Sequence, residues 1–547
     1  MLETSFATKK ALIIESYKVF RDLIKNATAS LGIGQVDSVR NSYDAIKNCK
    51  EHDYDIIYLG YDLGEGKKNG QQTLEELRVN GLIKRTCTVL MITAESSQEM
   101  VLCAMEHKPD TYLTKPFTTK ELLRRLLQTM DKKAELAQIY LALDHQSAEL
   151  VLTLCDAKIK EKNRYLHDCL AIKSKQLFEL GEFAATEEIC VQYINVENCF
   201  WAAIGLGKVY MQYRCFDKAT NVFKKLLADN PLYIPGFEWL AKNYKAQGDF
   251  ELAKITLEKA IETSPRSLSL MQEYAYICEQ NTDYDKAINA FKKSLSLSKN
   301  SVHHTPDKGL EYVRAVFDYS DPKDTITLDN HTKSAMRELS NIDRDFKSTE
   351  NNILTSLASA CLSYTNKDKL NASKQLEVAQ SLCKSLGDNL TGEIELELAK
   401  AYSHLNMEEK SNLLLLSIVE RFEEQACVML QVDQFVIEPL SKHGKQVTED
   451  AKQLGVNYYN NHNYQDAITD LSAILNIYPN HVSIKLTLIE ALIKAYQENE
   501  TQINYLTRAS KLLLQLEKVP RDNENFQQLL SVKKKVMALN KMKKGKE

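Results

Sequence analysis

The chain contains 547 residues (62.4 kDa), and its 70 Lys and Arg against 74 Asp and Glu give a net charge of −4. This length exceeds one ordinary hydrophobic core and predicts roughly two to four domains, while the near-neutral charge argues against a general DNA-binding protein. Only 10 Pro and 18 Gly are present, which disfavours an all-β or disordered chain and favours helices.

The first 130 residues alternate between short apolar runs and helical patterns. Apolar runs at 11–14, 56–59 and 89–92 are separated by helical patterns such as 17–31 and 71–79. Continuously apolar strands that alternate with helices predict a parallel sheet that is covered on both faces. Because the functional groups of such sheets gather where the strands end, the residues after each run are the candidate site.

The segments at these strand ends form a series: Glu15-Ser16, Gly60-Tyr61-Asp62, Thr93-Ala94 and 112–117. In this series the sequence resembles the response-regulator receiver domain. Residues 61–72 also resemble the Y-N-L-G-E-G-x-D-G-Q-Q segment of one receiver subgroup that is fused to helical repeats. The resemblance covers about the first quarter of the chain and implies an α/β flavodoxin-like receiver domain, with a parallel five-stranded sheet, over residues 1–130.

The resemblance also implies a phosphorylation site, which this chain retains only in part. The family holds Mg²⁺ with two acidic residues after strand 1 and an aspartate after strand 3, and this aspartate accepts the phosphoryl group. In this chain the acceptor position is Gly60, which has no side chain. The second acidic position is Ser16, so only Glu15 remains of the first pair.

Other positions of the family site are retained, and they leave two interpretations open. Thr93 and Lys115 stand at the phosphate-sensing positions, and Tyr112 stands at the aromatic switch position. In the first interpretation the domain is a pseudo-receiver that never accepts phosphate. In the second, Asp62 replaces the lost acceptor, because a two-residue shift keeps the same strand face and the spacing from Asp62 to Gly70 is the usual one.

A period of 34 residues runs through the rest of the chain. Ala203, Gly207, Ala219 and Pro231 recur 34 residues later as Phe237, Ala241, Ala253 and Pro265, and further copies lie at 271–294, 398–418 and 451–479. This spacing is that of tetratricopeptide repeats, in which small residues let two helices cross closely and proline ends the second helix. We therefore expect an all-α tetratricopeptide-repeat superhelix after the receiver-like domain.

The repeats are predicted to form two blocks, 131–299 and 351–532, joined by a linker or extended helices over 300–350. Residues 131–198 are expected to hold two degenerate helix pairs. The alternative for 131–160 is a single signalling helix that dimerises through Leu136, Ile139, Leu143, Leu150 and Leu154, although its heptad breaks at once. His303 and His304 are neighbours that cannot share a helix face, so no metal site is expected there.

Repeat arrays of this kind expose a concave groove that binds peptides or helices of other proteins. First-helix positions line the groove, and here they are Trp201, Ile204, Lys208, Met211, Glu238, Lys242, Lys245, Gln272 and Tyr276. The three lysines among them would favour an acidic segment of a partner.

The C-terminal residues 533–547 form a lysine-rich tail. It is interpreted as a solvated capping helix, with binding to an acidic partner, RNA or an anionic membrane surface as the alternative. No apolar run approaches the roughly 18 residues of a membrane span, and the N-terminus lacks the features of a secretory signal. Twelve Cys without a C-x-x-C pair suit reduced, mostly buried thiols, so a cytoplasmic protein is expected.

No catalytic constellation and no cofactor or metal motif is found in the sequence. The resulting hypothesis is a non-enzymatic bacterial signalling adaptor, which binds protein partners through its groove and a phosphate-independent receiver-like domain. One alternative is a phosphorylatable response regulator that uses Asp62 and Mg²⁺. Another is a nucleic-acid-associated factor that uses the lysine tail, although nucleic acid is not the expected partner.

Overall fold

The computed structural model describes residues 6–64, 67–94, 109–162, 164–319, 325–498, 503–517, 519–521 and 523–544. The chain forms two compact units. The first comprises Met1–Leu240, Thr256–Met271 and Ser296–Thr305, and the second comprises Ala241–Ile255, Gln272–Leu295 and Pro306–Glu547. Within the described ranges, no helix is long and apolar enough to cross a membrane.

The first unit begins with a five-stranded parallel sheet of strand order β2-β1-β3-β4-β5. Its strands are β1 (Lys10–Ile14), β2 (Gln35–Val39), β3 (Ile56–Gly60), β4 (Thr88–Thr93) and β5 (Thr111–Thr114). Its helices are α1 (Lys18–Ala29), α2 (Ser42–Glu51), α3 (Gly70–Val79) and α4 (Thr119–Glu135). This arrangement confirms the predicted α/β fold with a parallel five-stranded sheet.

The interior strands are buried on both faces, which is why their sequences are continuously apolar. Alternate residues of β1 and β3 enter two separate hydrophobic clusters, with Ile13 and Tyr58 on one face and Ile14 and Leu59 on the other. The register pairs Ile14 with Leu59 and Gly60 with Ile92. The segments after β1, β3 and β4 therefore meet at one edge of the sheet.

An all-helical region follows, and the first unit contains α5 (Ala137–Asp144), α6 (Ala148–Lys160), α7 (Leu166–Glu179), α8 (Phe183–Tyr193), α9 (Phe200–Gln212) and α10 (Phe216–Asp229). Residues 131–160 thus fold as the end of α4 and two short helices, and not as one signalling helix. Leu136 and Ile139 are buried with Val151 and Cys155 in a core of their own, whereas Leu150 is exposed. Their apolar side chains stabilise an intramolecular helix pair.

The helices at 234–298 are α11 (Ile234–Ala246), α12 (Phe250–Thr263), α13 (Leu268–Gln280) and α14 (Tyr284–Ser298). The small residues of the 34-residue pattern lie at close helix crossings, as predicted. Ala219, Ala253 and Ala287 are fully buried. A Cβ on Gly207 would collide with the ring of Phe223. The pattern therefore records contacts that exclude a larger side chain.

The second unit continues with α15 (Pro306–Tyr319), α16 (Thr325–Asp345), α17 (Thr349–Thr365), α18 (Lys369–Leu386), α19 (Gly392–His404), α20 (Glu408–Arg421), α21 (Ala426–Phe435), α22 (Lys442–Asn460), α23 (Tyr464–Ile477), α24 (Val482–Glu498), α25 (Ile503–Gln515) and α26 (Phe526–Lys544). Two of these helices, α15 and α16, lie within residues 300–350, for which the sequence predicted either a linker or extended helices. Val313 and Ile342 share a hydrophobic core with Leu295 and Leu362, so the helices before and after this stretch pack continuously with it.

The second unit also contains a contact that the sequence does not suggest. On α25, Arg508 donates to the Gln247 carbonyl at 2.9 Å, and Lys511 lies 2.7 Å from a Glu251 carboxylate oxygen. Gln515 donates to the Gln280 carbonyl at 3.0 Å. The residue after α11, the start of α12 and the end of α13 are therefore held by polar side chains of a helix that lies 235 to 261 residues further along the chain.

Candidate functional site

The candidate site at the sheet edge is centred on Gly60, the last residue of β3. A Cβ at this position would lie 2.7 Å from Glu15 Oε2 and 3.2 Å from the Ile14 carbonyl oxygen. Real Cβ atoms do not approach other atoms this closely, so the Glu15 carboxylate occupies the space that an acceptor side chain would need. The position is therefore closed by its neighbour as well as lacking a reactive group.

The Glu15 carboxylate is buried and fully engaged. Its Oε2 lies 2.9 Å from Lys115 Nζ, and its Oε1 accepts a hydrogen bond of 3.1 Å from the Tyr17 backbone N–H. The side chains of Glu15 and Lys115 are 1% and 10% exposed. Lys115 Nζ also lies 4.3 Å from the centroid of the Phe20 ring. The Lys115 ammonium, which the sequence places at a predicted phosphate-sensing position, is thus paired with a buried internal carboxylate.

A second cation fixes the backbone beside this ion pair. Arg21 on α1 is 9% exposed, and its guanidinium donates to the carbonyl oxygens of Glu15 at 2.7 Å and Ser16 at 2.9 Å. Both carbonyls follow β1, at the edge where the candidate site lies. Arg21 was not singled out from the sequence, because a lone arginine in a helical pattern carries no positional signal.

Asp62 lies in the loop after β3, and Ser16, which follows β1, makes a hydrogen bond to that loop. The Asp62 carboxylate is exposed and accepts a 3.0 Å hydrogen bond from the Gly64 backbone N–H. Ser16 Oγ donates to the Asp62 carbonyl oxygen at 2.9 Å. Among the described residues, no hydrogen bond or ion pair joins the Asp62 carboxylate to Glu15 or Lys115. The structure thus places Asp62 at the same edge, in a turn, outside the buried ion pair.

The remaining receiver-like positions lie on the neighbouring strands. Thr93 ends β4, is buried, and accepts a 2.6 Å hydrogen bond from the Lys115 backbone N–H through its carbonyl oxygen. Tyr112 on β5 is half-buried and packs against the hydrophobic cluster that contains Met91. The Lys115-Pro116 peptide bond is cis. These residues hold the sheet edge together around the ion pair.

The predicted groove residues lie on first helices of successive pairs, as expected. Trp201, Ile204, Lys208 and Met211 are on α9, Glu238, Lys242 and Lys245 are on α11, and Gln272 and Tyr276 are on α13. All are half-buried except Lys242, which is exposed. Each of these side chains is therefore at least partly accessible, and Lys242 is the most exposed of the three lysines.

Two of the groove lysines are engaged by aromatic rings. In the first unit, Lys208 Nζ lies 3.9 Å from the Phe178 ring centroid and 5.0 Å from that of Trp239. In the second unit, Lys245 Nζ lies 4.1 Å from the Tyr276 ring centroid and 3.1 Å from a Glu273 oxygen. The sequence did not identify Phe178 or Trp239 as groove residues.

Comparison with known proteins identifies both parts of the chain. Residues 11–127 match the family model of the response regulator receiver domain, and residues 236–267 and 268–301 match that of the tetratricopeptide repeat. The chain carries a receiver domain followed by tetratricopeptide repeats.

The receiver domain has curated relatives that are themselves about as long as the match. It is 27% identical over 117 residues to chemotaxis protein CheY-3 of Vibrio cholerae serotype O1, a match that covers 21% of this chain and 88% of the relative. A solved CheY-like receiver domain from Methanospirillum hungatei JF-1 is 17% identical, covers 23% of this chain and 98% of its own, and has a TM-score of 0.21. The C-terminal part of a TPR repeat-containing protein from Cytophaga hutchinsonii is 16% identical, covers 48% of this chain and 98% of its own, and has a TM-score of 0.36.

Side chains join the receiver domain to the helical region within the first unit, in addition to the ion pairs that α4 makes with α6 and α7. On α3, Glu75 Oε1 lies 2.7 Å from His303 Nε2, and Gln72 Nε2 donates to the Lys299 carbonyl at 3.2 Å. Near the other end of the domain, Arg85 Nε lies 3.0 Å from Asp144 Oδ1. The sequence reasoning missed these contacts because their partners lie far apart along the chain. The ring of His303 thus serves as a partner for a receiver carboxylate.

The lysine tail is in part a packed helix. Leu529, Val532 and Val536 of α26 are buried in the core of the second unit, and Lys533 and Lys535 approach Glu517 and Glu490 at 4.0 and 3.9 Å. Side chains beyond 542 lie outside the described residues. Within the part of the chain that the structure describes, no group of three or more His, Cys, Asp or Glu could hold a metal ion.

Proposed function

We propose that the protein is a non-enzymatic bacterial signalling adaptor whose receiver domain works without covalent phosphate. One observation supports the proposal: the Glu15 carboxylate, paired with Lys115, lies 2.7 Å from where a Cβ on Gly60, the predicted acceptor position, would stand. The cationic sensor of the family already has a buried carboxylate as its partner, so the domain holds one internally neutralised state. The tetratricopeptide repeats would supply the surface for a protein partner.

The groove positions predicted from the sequence, on α9, α11 and α13, are the proposed partner-binding residues. Half-buried aromatic residues at or next to these positions, Trp201, Trp239 and Tyr276, are of the type that anchors interfaces. Lys242 is exposed and would steer an acidic segment of a partner toward the repeats. We place the adaptor in the cytoplasm as part of the proposal, since the described cysteines are free thiols and all but two are buried.

The test is incubation of the full chain with a small phosphodonor, such as acetyl phosphate, and Mg²⁺, followed by intact-mass measurement. An active receiver domain with an acceptor aspartate is treated in parallel as the positive control. We expect no added phosphoryl mass on this chain. A phosphoryl group that is labile in acid and is lost in Asp62→Asn would replace the proposal with the second candidate, a response regulator that is phosphorylated at Asp62. The exposure of the Asp62 carboxylate is the observation that favours this candidate.

A further inference from the structure

A pocket of about 580 Å³ lies on the receiver domain between α2 and the segment that leads into α3. Its volume falls in the range of small-molecule sites, which is about 300–1,000 Å³. None of its lining residues belongs to the Gly60, Glu15 and Lys115 site. The pocket is therefore separate from the position that the family phosphorylates.

Lysine side chains dominate the charge of this pocket. Lys47 and Lys50 stand one turn apart on α2, and Lys67 and Lys68 line it from the segment before α3. Lys68 is ion-paired with Glu76, which is also a lining residue. The other three lysines have no ion-pair partner among the residues that the structure describes, so their charges converge on the pocket uncompensated.

The first turn of α2 adds an unsatisfied donor at the same place. Ser42 lines the pocket and is 4% exposed, and its hydroxyl oxygen has no hydrogen-bond partner within the described chain. A buried hydroxyl without a partner costs free energy, which a ligand oxygen would recover. The N-terminus of α2 also carries the positive end of the helix dipole, although the side chain of Asn41 already caps the Asp44 N–H. Ammonium groups, a hydroxyl and a helix N-terminus together form the usual environment of a bound phosphate.

We infer that this pocket binds a small molecule that carries two or more phosphate groups. Three uncompensated ammonium groups call for more than one negative charge on the ligand. The ring of Tyr43, which is 78% exposed, stands among the lining residues and offers an aromatic face to an attached base. A concave pocket of this size suits a compact ligand better than an extended acidic peptide.

The test is calorimetric titration of the full-length chain with inorganic pyrophosphate and, separately, with ADP. We expect saturable binding of at least one probe, which weakens as salt rises. Lys47→Ala/Lys50→Ala should weaken binding at least about tenfold, because two of the three uncompensated charges are removed. The matched control is Lys18→Ala/Lys25→Ala, which removes two exposed lysines from α1 and should bind as wild type.

Ser42→Ala separates a ligand role from a structural one. Because the hydroxyl has no intramolecular partner among the described residues and its burial costs free energy, its loss should keep or raise the melting temperature while it lowers affinity for the probe. Equal affinity for both probes would mean that the pocket recognises only the phosphate groups. Tighter binding of ADP, with the difference abolished by Tyr43→Ala, would mean that the pocket also contacts the base. The inference is overturned if neither probe saturates at millimolar concentration, if Lys47→Ala/Lys50→Ala binds like wild type, or if a hexaglutamate peptide binds more tightly than both probes.

Discussion

Glu15 and Lys115 are 100 residues apart in the chain, and their side chains form a 2.9 Å ion pair that fills the edge of the receiver sheet against Gly60. This ion pair affects whether an acceptor residue could be introduced at position 60. A glycine at the acceptor position could be restored to aspartate if the rest of the site were open. Here the Glu15 carboxylate already occupies the space beside Gly60 and is already paired with Lys115.

The first prediction is that Gly60→Asp will not create a phosphorylation site and will destabilise the receiver domain. A Cβ at position 60 would lie 2.7 Å from Glu15 Oε2, and the Asp carboxylate attached to it would add a second negative charge beside Glu15. We therefore expect a loss of roughly 1–3 kcal/mol from crowding and like-charge repulsion. Denaturant unfolding of Gly60→Asp, Glu15→Ala and the double variant measures the coupling between the positions. Additive effects of the two substitutions would show that Glu15 does not obstruct position 60.

The second prediction concerns the close crossing at Ala253 on α12. This residue is fully buried, so Ala253→Leu should overpack the helix pair and cost roughly 1–3 kcal/mol of unfolding free energy. Lys259→Leu, on the exposed side of the same helix, is the matched control and should change stability by no more than about 0.5 kcal/mol. Thermal or denaturant unfolding checks both, and a neutral Ala253→Leu would contradict the assigned repeat register.

The third prediction uses a buried cation in the second unit. Lys485 on α24 is 5% exposed, and burial lowers its pKa to about 8. The unfolded chain therefore binds more protons than the folded chain between pH 8 and the ordinary lysine pKa of 10.5, so this group makes the protein more stable as pH rises through that window. Below pH 8 the folded protein bears the full free-energy cost of burying the charged Lys485 ammonium. Lys485→Met should therefore stabilise the protein by roughly 1–3 kcal/mol at pH 7.

The gain from Lys485→Met should shrink as pH rises toward 10. Lys494→Met is the control, because Lys494 lies on the same helix and is exposed; it should leave the pH dependence of stability as it is in wild type. Unfolding midpoints of the three proteins from pH 6 to 10 test the sign. A Lys485→Met protein that is less stable than wild type at pH 7 would mean that the ammonium has a favourable partner.

The fourth prediction concerns partner binding by the repeats. Lys242 is the exposed lysine of the groove, whereas Lys208 and Lys245 are held against aromatic rings. Lys242→Glu should therefore slow association with an acidic partner while it leaves the melting temperature nearly unchanged. The effect should fade with salt, because exposed charges are screened over about 8 Å at physiological ionic strength.

The measurement for this prediction is the association rate of a protein captured by affinity purification with the full chain, at two ionic strengths. Lys259→Glu, on the second helix of the same pair, makes the same charge change away from the groove positions and should bind as wild type. Equal rates for Lys242→Glu and wild type would move the interface away from this groove.

Local patterns in the sequence determined the two folds. Runs such as 56–59 are apolar at every position because both faces of an interior parallel strand are covered, so this information is contained in the strand itself. Ala253 and Gly207 were likewise predictable, since a 34-residue period fixes where two helices touch. The position of Gly60 at the end of β3 followed from the same reasoning.

Only the tertiary structure decided which side chains meet. Lys115 was identified as a remnant of a phosphate site, but its pairing with Glu15 and its contact with Phe20 depend on how α1 packs beside the sheet. Glu75 and His303 are 228 residues apart, and no periodicity encodes such a contact. The burial of Lys485 and the pocket between α2 and α3 have the same origin, because burial and concavity depend on neighbouring elements that the local sequence does not contain.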